Sequence, residues 1–326
     1  MITPYISHIL RPLRLLTACL MLCVLTSCFT GVEGTKRIEL SRADRRRARL
    51  SAEDTLLRAA LSSRLLADLR PGDPFRITDS RLALFCDIES ADPADTLLLG
   101  RTVRFDGLFS RLSPSGAMER VIGFSDGRWM LTYPLGRTPA AADSLPSARL
   151  PMMLDLTLVD RARHALKGRR VWTRTSLGYD SLGTRTHSPK FAPYTIDDVF
   201  PCDGVFPLRL ALTPDSSGVA AGILSPDTRY AYLNFGNGIG ESRTFASLFS
   251  LSDPRARHSD ITDEIWRCIM AEKVTAGMTK QECRLALGNP GEIEAGHDYS
   301  RLLDIWIYPD GSFLRFIDGR LADYRQ

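Results

Sequence analysis

The stretch 277–290, GMTKQECRLALGNP, restricts the fold around it more than any other segment of the chain. Thr279 is a good helix N-cap, and Glu282, three residues on, completes a capping box. Met278 and Cys283 stand at the two positions of a hydrophobic staple, so Cys283 reads as a packing residue before a redox one. Gly288 suits a left-handed C-terminal cap, and Pro290 prevents the helix from continuing. These signals predict a helix over 280–287. An earlier helix over 262–272 carries Ile265, Trp266 and Ile269 on one face.

A meander follows. Leu302–Tyr308 reads as a strand, Pro309-Asp310-Gly311 as a tight turn and Ser312–Ile317 as a second strand. Asp318-Gly319 makes the next turn, and Arg320–Tyr324 the third strand. Leu303, Ile305 and Ile307 alternate with Asp304 and Trp306, which predicts a sheet with one covered face. Cys283, Leu287 and Ile269 are expected to pack on that face. Segment 291–301, with His297, reads as a loop. Residues 255–326 are thus predicted to form an α-α-β-β-β unit.

Gly277, Met278, Thr279 and Glu282 at the second helix resemble a motif of the SmpA/OmlA (BamE-like) outer-membrane lipoproteins. Leu287, Gly288 and Pro290 at its end, and Asp318-Gly319 before the last strand, extend the likeness. The resemblance implies an α-α-β-β-β fold and a role in contacts between envelope proteins. β-Lactamase-inhibitor proteins share the same unit, so the fold follows from it more directly than the role. Members of that family are small, with the lipid close to this unit. Here about 220 residues separate the two, counted from the predicted anchor.

The other legible segment is LLTACLMLCVLTSCFT, residues 15–30. Its apolar run, Leu15 to Leu25, falls short of the ~20 residues of a spanning helix. Arg11 and Arg14 precede it without an acid, and small residues close it, as in a secretory signal. Leu25-Thr26-Ser27-Cys28 resembles the bacterial lipobox. By that resemblance Cys28 is the lipid-attachment site and first mature residue, and residues 1–27 are removed. Phe29 after the cysteine, where an Asp would favour the inner membrane, implies the outer membrane, facing the periplasm. Several acyl chains, each methylene contributing ~0.8 kcal/mol, make a durable anchor.

Without its signal the chain keeps 40 basic and 38 acidic residues, a balance that gives no electrostatic case for nucleic acid. Cys86, Cys202, Cys268 and Cys283 lie far apart with no C-x-x-C, which excludes a familiar metal motif. Disulfides and buried free thiols are both open to them.

Between the two ends the chain reads as a tether over 28–50 that contains Arg45-Arg46-Arg47. A helix over 51–70 follows, opened by Ser51 and acids in its first turn, with Leu57, Leu61 and Leu65 at helical spacing. β-rich modules are expected over 73–136 and 150–250. Strands are predicted at Arg81–Phe85, Thr102–Phe105, Val121–Phe124 and Trp129–Tyr133, the last two flanking the turn Ser125-Asp126-Gly127. A linker over Gly136–Ser144 leads to strands at Met152–Val159, Arg170–Thr175, Phe206–Leu212 and Tyr230–Phe235. Leu98-x-Gly100-Arg101-x-Val103 resembles Leu166-x-Gly168-Arg169-x-Val171, each followed by a turn glycine, Gly116 or Gly183. A duplicated small barrel and chance similarity both account for it. The expected fold class is α+β: an N-terminal helix, one or two small antiparallel barrels, and the α-α-β-β-β domain.

No catalytic constellation emerges. His8, His164, His187, His258 and His297 stand apart, and there is no H-E-x-x-H or G-x-S-x-G. Gly236-Asn237-Gly238-Ile239-Gly240 lacks the register of a phosphate loop, and Asp197-Asp198 point to opposite faces of a strand. The expectation is a non-catalytic, lipid-anchored envelope protein without metal or cofactor, bound to the membrane through Cys28 and to another envelope protein. The alternative is a module that binds a small ligand or cell-wall fragment, or an inhibitor-type binding protein.

Overall fold

The computed structural model describes residues 52–90, 98–145, 147–203, 205–235, 243–298 and 301–326. Cys28, the lipobox, the tether and the 236–240 glycine loop lie outside the described residues. Helices and antiparallel sheets together make the class α+β.

Helix α1 is Ala52–Leu61, with Glu53 and Asp54 in its first turn and Leu57, Ala60 and Leu61 buried. It is shorter than the predicted 51–70. A short 3-10 turn, Leu66–Asp68, takes up the rest, and Leu65 is exposed rather than packed. Then come β1 (Pro74–Ile77), β2 (Asp87–Ser90), β3 (Thr102–Leu112), β4 (Met118–Ser125), β5 (Trp129–Pro134), α2 (Pro139–Asp143) and β6 (Met153–Asp155). The strands form one sheet in the order β2-β5-β4-β3-β1-β6.

Three predictions in this region need correction. Arg81–Phe85 is not a strand; Ser80–Leu84 is a 3-10 turn whose cap, Asp79, accepts from the Arg81 N–H. The turn buries Leu82 and leaves Leu84 77% exposed, whereas a strand would put both on one face. The linker over Gly136–Ser144 contains α2, started by Pro139 at its first position. Met152–Val159 is a strand only to Asp155. There Asp155 caps helix α3 (Leu156–Leu166) by accepting from the Thr157 N–H, and Leu158, Val159, Ala162 and Leu166 form its buried stripe.

The second sheet contains β7 (Arg170–Thr173), β8 (Leu177–Tyr179), β9 (Arg185–His187), β10 (Pro193–Pro201) and β11 (Leu208–Pro214). After α4 (Ser216–Ala220) it adds β12 (Arg229–Leu233) and, after α5 (Phe245–Leu248), β13 (Phe249–Ser250). Its order is β13-β7-β10-β11-β12-β8-β9. β7 and β8 follow each other directly in the chain yet lie at different places in this order, so the sheet must curl back on itself. The core of this sheet takes in α1 and α3. The first sheet has its own core around Phe75, Ile122 and Phe124.

The two L-x-G-R-x-V segments fold alike. Gly100 and Gly168 have φ +79° and +77°. Arg101 N–H donates to Leu98 O (3.0 Å), and Arg169 N–H to Leu166 O (3.1 Å). Val103 and Val171 are both buried. Arg104 faces Ser125 in the first sheet and Trp172 faces Pro193 in the second, equivalent positions shifted by the same interval along the chain. The surroundings differ: Gly100 N–H reaches Ile77 O on β1, and Gly168 N–H reaches Ile196 O on β10.

The C-terminal region is α6 (Asp263–Met270), α7 (Lys280–Leu287), β14 (Glu292–Asp298), β15 (Arg301–Ile307), β16 (Phe313–Ile317) and β17 (Arg320–Arg325). Four strands stand where three were predicted. Segment 291–301 is not a loop, because residues 292–298 pair along their whole length with β15. The capping box is in place: Glu282 N–H donates to Thr279 Oγ1 (3.2 Å) and Thr279 N–H to Glu282 Oε2 (2.6 Å). Thr279→Ala is expected to lower stability by about 1 kcal/mol in urea denaturation, the usual worth of such a cap.

Candidate functional site

The C-terminal sheet has two unlike faces. α6 is capped by Thr262, whose hydroxyl accepts from the Ile265 N–H, and it buries Trp266 and Ile269. α7 buries Cys283 and Ala286, and Met278 of the staple is fully buried. These residues share one core with Trp306, Tyr308, Leu314, Phe316 and Leu321. Leu287 only packs against that core from its margin.

The covered row is therefore Asp304 and Trp306 of β15, continued by Tyr308 just beyond the strand. Lys280 of α7 forms an ion pair with Asp304. The Arg284 guanidinium lies 4.6 Å from the centre of the Trp306 ring, and Tyr308 OH donates to Gly288 O (3.3 Å). The row of Leu303, Ile305 and Ile307 faces the other way. Alternation alone does not choose between the rows. Trp306 brings the larger apolar surface, and Lys280 neutralises the Asp304 carboxylate in the same row.

On the open face Ile307 lies between Glu292 and Phe313, Ile305 between Glu294 and Arg315, and Leu303 between Gly296 and Ile317. Beyond them Arg325 stands 5.6 Å from the Phe313 ring, and Arg315 pairs with Asp323 at 3.5 Å. The result is an apolar row, with acids along β14 and mixed charges along β17. Leu303, Ile305, Ile307, Phe313 and Ile317 are half-buried, and none belongs to the core behind the sheet.

This region is fastened to the second sheet. Buried Lys190 donates through Nζ to Ala286 O (2.7 Å) near the end of α7, where the helix dipole favours a cation. Ser176 Oγ donates to Glu272 Oε2 (2.7 Å), and the Phe191 and Trp266 rings meet edge to face.

A cleft of about 270 Å³ lies beside the two larger cores, with Phe75, Leu150, Met153, Leu158 and Phe235 on its walls. Arg64 stands at its polar end. Its Nε donates to Asp155 Oδ2 (2.8 Å) and its Nη1 to Asp73 Oδ2 (2.7 Å). Burial pushes the Asp155 carboxyl above its ordinary range, and Arg64 pulls against that shift. Because Asp155 also caps α3, the pair is first a staple between elements.

The remaining candidates do not converge. His164 and His187 are exposed, while His258 Nδ1 is 2.9 Å from Gln281 Nε2. Asp198 bonds Arg163, and the ladder shifts between Ile196 and Asp198, so Asp197 is the extra residue of a bulge. Cys86, Cys202, Cys268 and Cys283 are free thiols. Burial pushes Cys86 and Cys283 up to about 12, which keeps them protonated at neutral pH. Among the described residues no group of three or more His, Cys, Asp or Glu is placed to hold a metal ion.

α3 and β14 are among the elements that escaped the sequence reading. The signal for α3 was present in Asp155 and the spacing of Leu158, Ala162 and Leu166. β14 had only the weak alternation of Glu292, Ile293, Glu294 and Ala295. In comparisons with family models, curated proteins and solved structures, none matches the chain.

Proposed function

We propose that this is a non-catalytic, lipid-anchored protein of the bacterial envelope, and that the open face of its C-terminal sheet holds another envelope protein. Cys28 carries the lipid in this reading, and the chain faces the periplasm from the outer membrane. The observation behind the contact surface is the row Leu303, Ile305 and Ile307, flanked by Phe313 and Ile317, on the side of the sheet away from α6 and α7. A regular sheet that covers one apolar face and presents a second is suited to docking.

The SmpA/OmlA resemblance supports the reading through residues with physical duties here. Gly277 and Gly288 have φ +87° and +85°, Thr279 and Glu282 cap α7, and Asp318-Gly319 turns β16 into β17. The fourth strand is a departure from the family pattern.

The test is cross-linking in intact cells followed by purification of the full chain. Ile305→Glu should lose a cross-linked partner that wild type retains, and Leu182→Glu, at an exposed position between β8 and β9, should keep it. Cys28→Ser should abolish labelling by a palmitate analogue and reduce the same cross-link. A partner held equally by Ile305→Glu would refute the face as the contact surface. The cleft beside Arg64 favours a second reading, binding of a small ligand with both polar and apolar parts. A small molecule retained by the purified chain in native mass spectrometry would support that reading instead.

A further inference from the structure

The edges of the three sheets are treated differently. An edge strand exposes unpaired backbone groups, and folds commonly protect it by shortness, a bulge, Lys or Pro, or a cover. In the first sheet the edges are β2, of 4 residues, and β6, of 3 buried ones. In the second they are β13, of 2 residues, and β9, of 3.

β17 is longer but defended. Its register shifts between Arg315 and Phe316 of its neighbour. Its far side is occupied as well: Gly277 N–H donates to Leu321 O and Leu321 N–H to Met278 O, both at 2.8 Å, and Thr279 bridges to Arg320.

Among the described residues β14 has none of these protections. It is 7 residues long, pairs with β15 without a register shift, and ends the sheet. Residues Glu292–Gly296 are all exposed, and the strand has neither Lys nor Pro. Its side chains restrict what can pair there. Glu292 and Glu294 share the open face, while Ile293, 50% exposed, lies in the phase of Trp306. Two-fold pairing with a second copy, open faces together, sets Glu294 against Glu294 in one register and Glu292 against Glu294 in another. Like charges directly opposite are destabilising, whereas Lys or Arg at those positions would be favourable.

We propose that the outer edge of β14 takes an extended, basic segment of the partner protein as an added strand. Its cations would lie beside Glu292 and Glu294 on the open face, and its apolar residues beside Ile293. Backbone hydrogen bonds supply the binding and the alternating side chains the selectivity. This rests on the open-face reading and extends the contact surface from the face to its edge.

The probe is a capped peptide of alternating lysine and valine as long as β14, added to the full chain and followed by amide hydrogen exchange. Exchange over 292–298 should slow by about tenfold. The same peptide N-methylated at every residue, and one alternating glutamate with valine, should give no protection. Glu292→Lys with Glu294→Lys should weaken binding of the basic peptide by about tenfold and favour the acidic one. Unchanged exchange at β14, or equal protection by the methylated peptide, overturns the proposal. If the edge result fails while Ile305→Glu still loses its cross-link, only the added strand is refuted. If the peptide protects β14 and Ile305→Glu changes nothing, the face reading falls alone.

Discussion

Gly178→Ala is expected to destabilise the protein by about 3–5 kcal/mol, read as a lowered urea midpoint. Gly178 lies on β8, and a Cβ there would stand 1.9 Å from Arg229 Nε, 2.7 Å from its Cζ and 2.8 Å from its Cδ. These are middle atoms of a side chain that is only 6% exposed, so a swing of the tip does not relieve the clash. The guanidinium donates to Ser176 O (2.7 Å), bonds Ser188 Oγ and lies 5.6 Å from the centre of the Tyr194 ring. Moving it breaks hydrogen bonds to a buried charge; leaving it in place forces β8 away from β12, which pair at Tyr230 and Tyr179. The two residues should therefore couple. In an Arg229→Ala background, itself destabilised, adding Gly178→Ala should cost less than about 1 kcal/mol. Equal costs in both backgrounds would show that the glycine is required for another reason.

That coupling marks a boundary of what a sequence makes legible. α7 could be read because its determinants lie within a few residues: Thr279 and Glu282 bond each other, and Gly288 and Pro290 stop the helix. The hairpin at Ser125-Asp126-Gly127 is local too, with Ser125 opposite Met130 across it. Gly178 gave no signal, because the side chain that fills its space comes from β12, far along the chain. β14 was unreadable for the same reason. Nothing in Glu292–Asp298 demands a strand until β15 is beside it. Met152–Val159 was misread because an apolar run suits strand and helix alike. The decision rested on the Asp155 cap, which marks where one ends and the other begins. The covered face of the C-terminal sheet was ambiguous in kind. The alternation in β15 was visible, but which row faces the helices depends on Lys280 meeting Asp304 and Arg284 covering Trp306. The contact surface is the least local feature of all, since an open face is defined by what does not pack on it.

Trp306→Ala is expected to cost about 3–5 kcal/mol, against about 1 kcal/mol for Ile305→Ala on the other face of the same strand. Trp306 is 1% exposed, and its ring centre is 4.7 Å from that of Phe316. Its loss removes a large apolar surface from a close-packed core and leaves a cavity that α7 cannot close while the Lys280–Asp304 pair holds its start. It also leaves the Arg284 guanidinium without the ring it covers. Ile305 has a half-buried side chain between Glu294 and Arg315, so its truncation exposes neighbours to water without opening a cavity. Urea denaturation of the two single variants reads the difference directly. A larger loss for Ile305→Ala would mean that the helices cover the aliphatic row after all, and the proposed contact surface would then be core. A large loss for Trp306→Ala with a small one for Ile305→Ala leaves Leu303, Ile305 and Ile307 free for a partner. It also qualifies Ile305→Glu as a variant that changes binding while the fold persists.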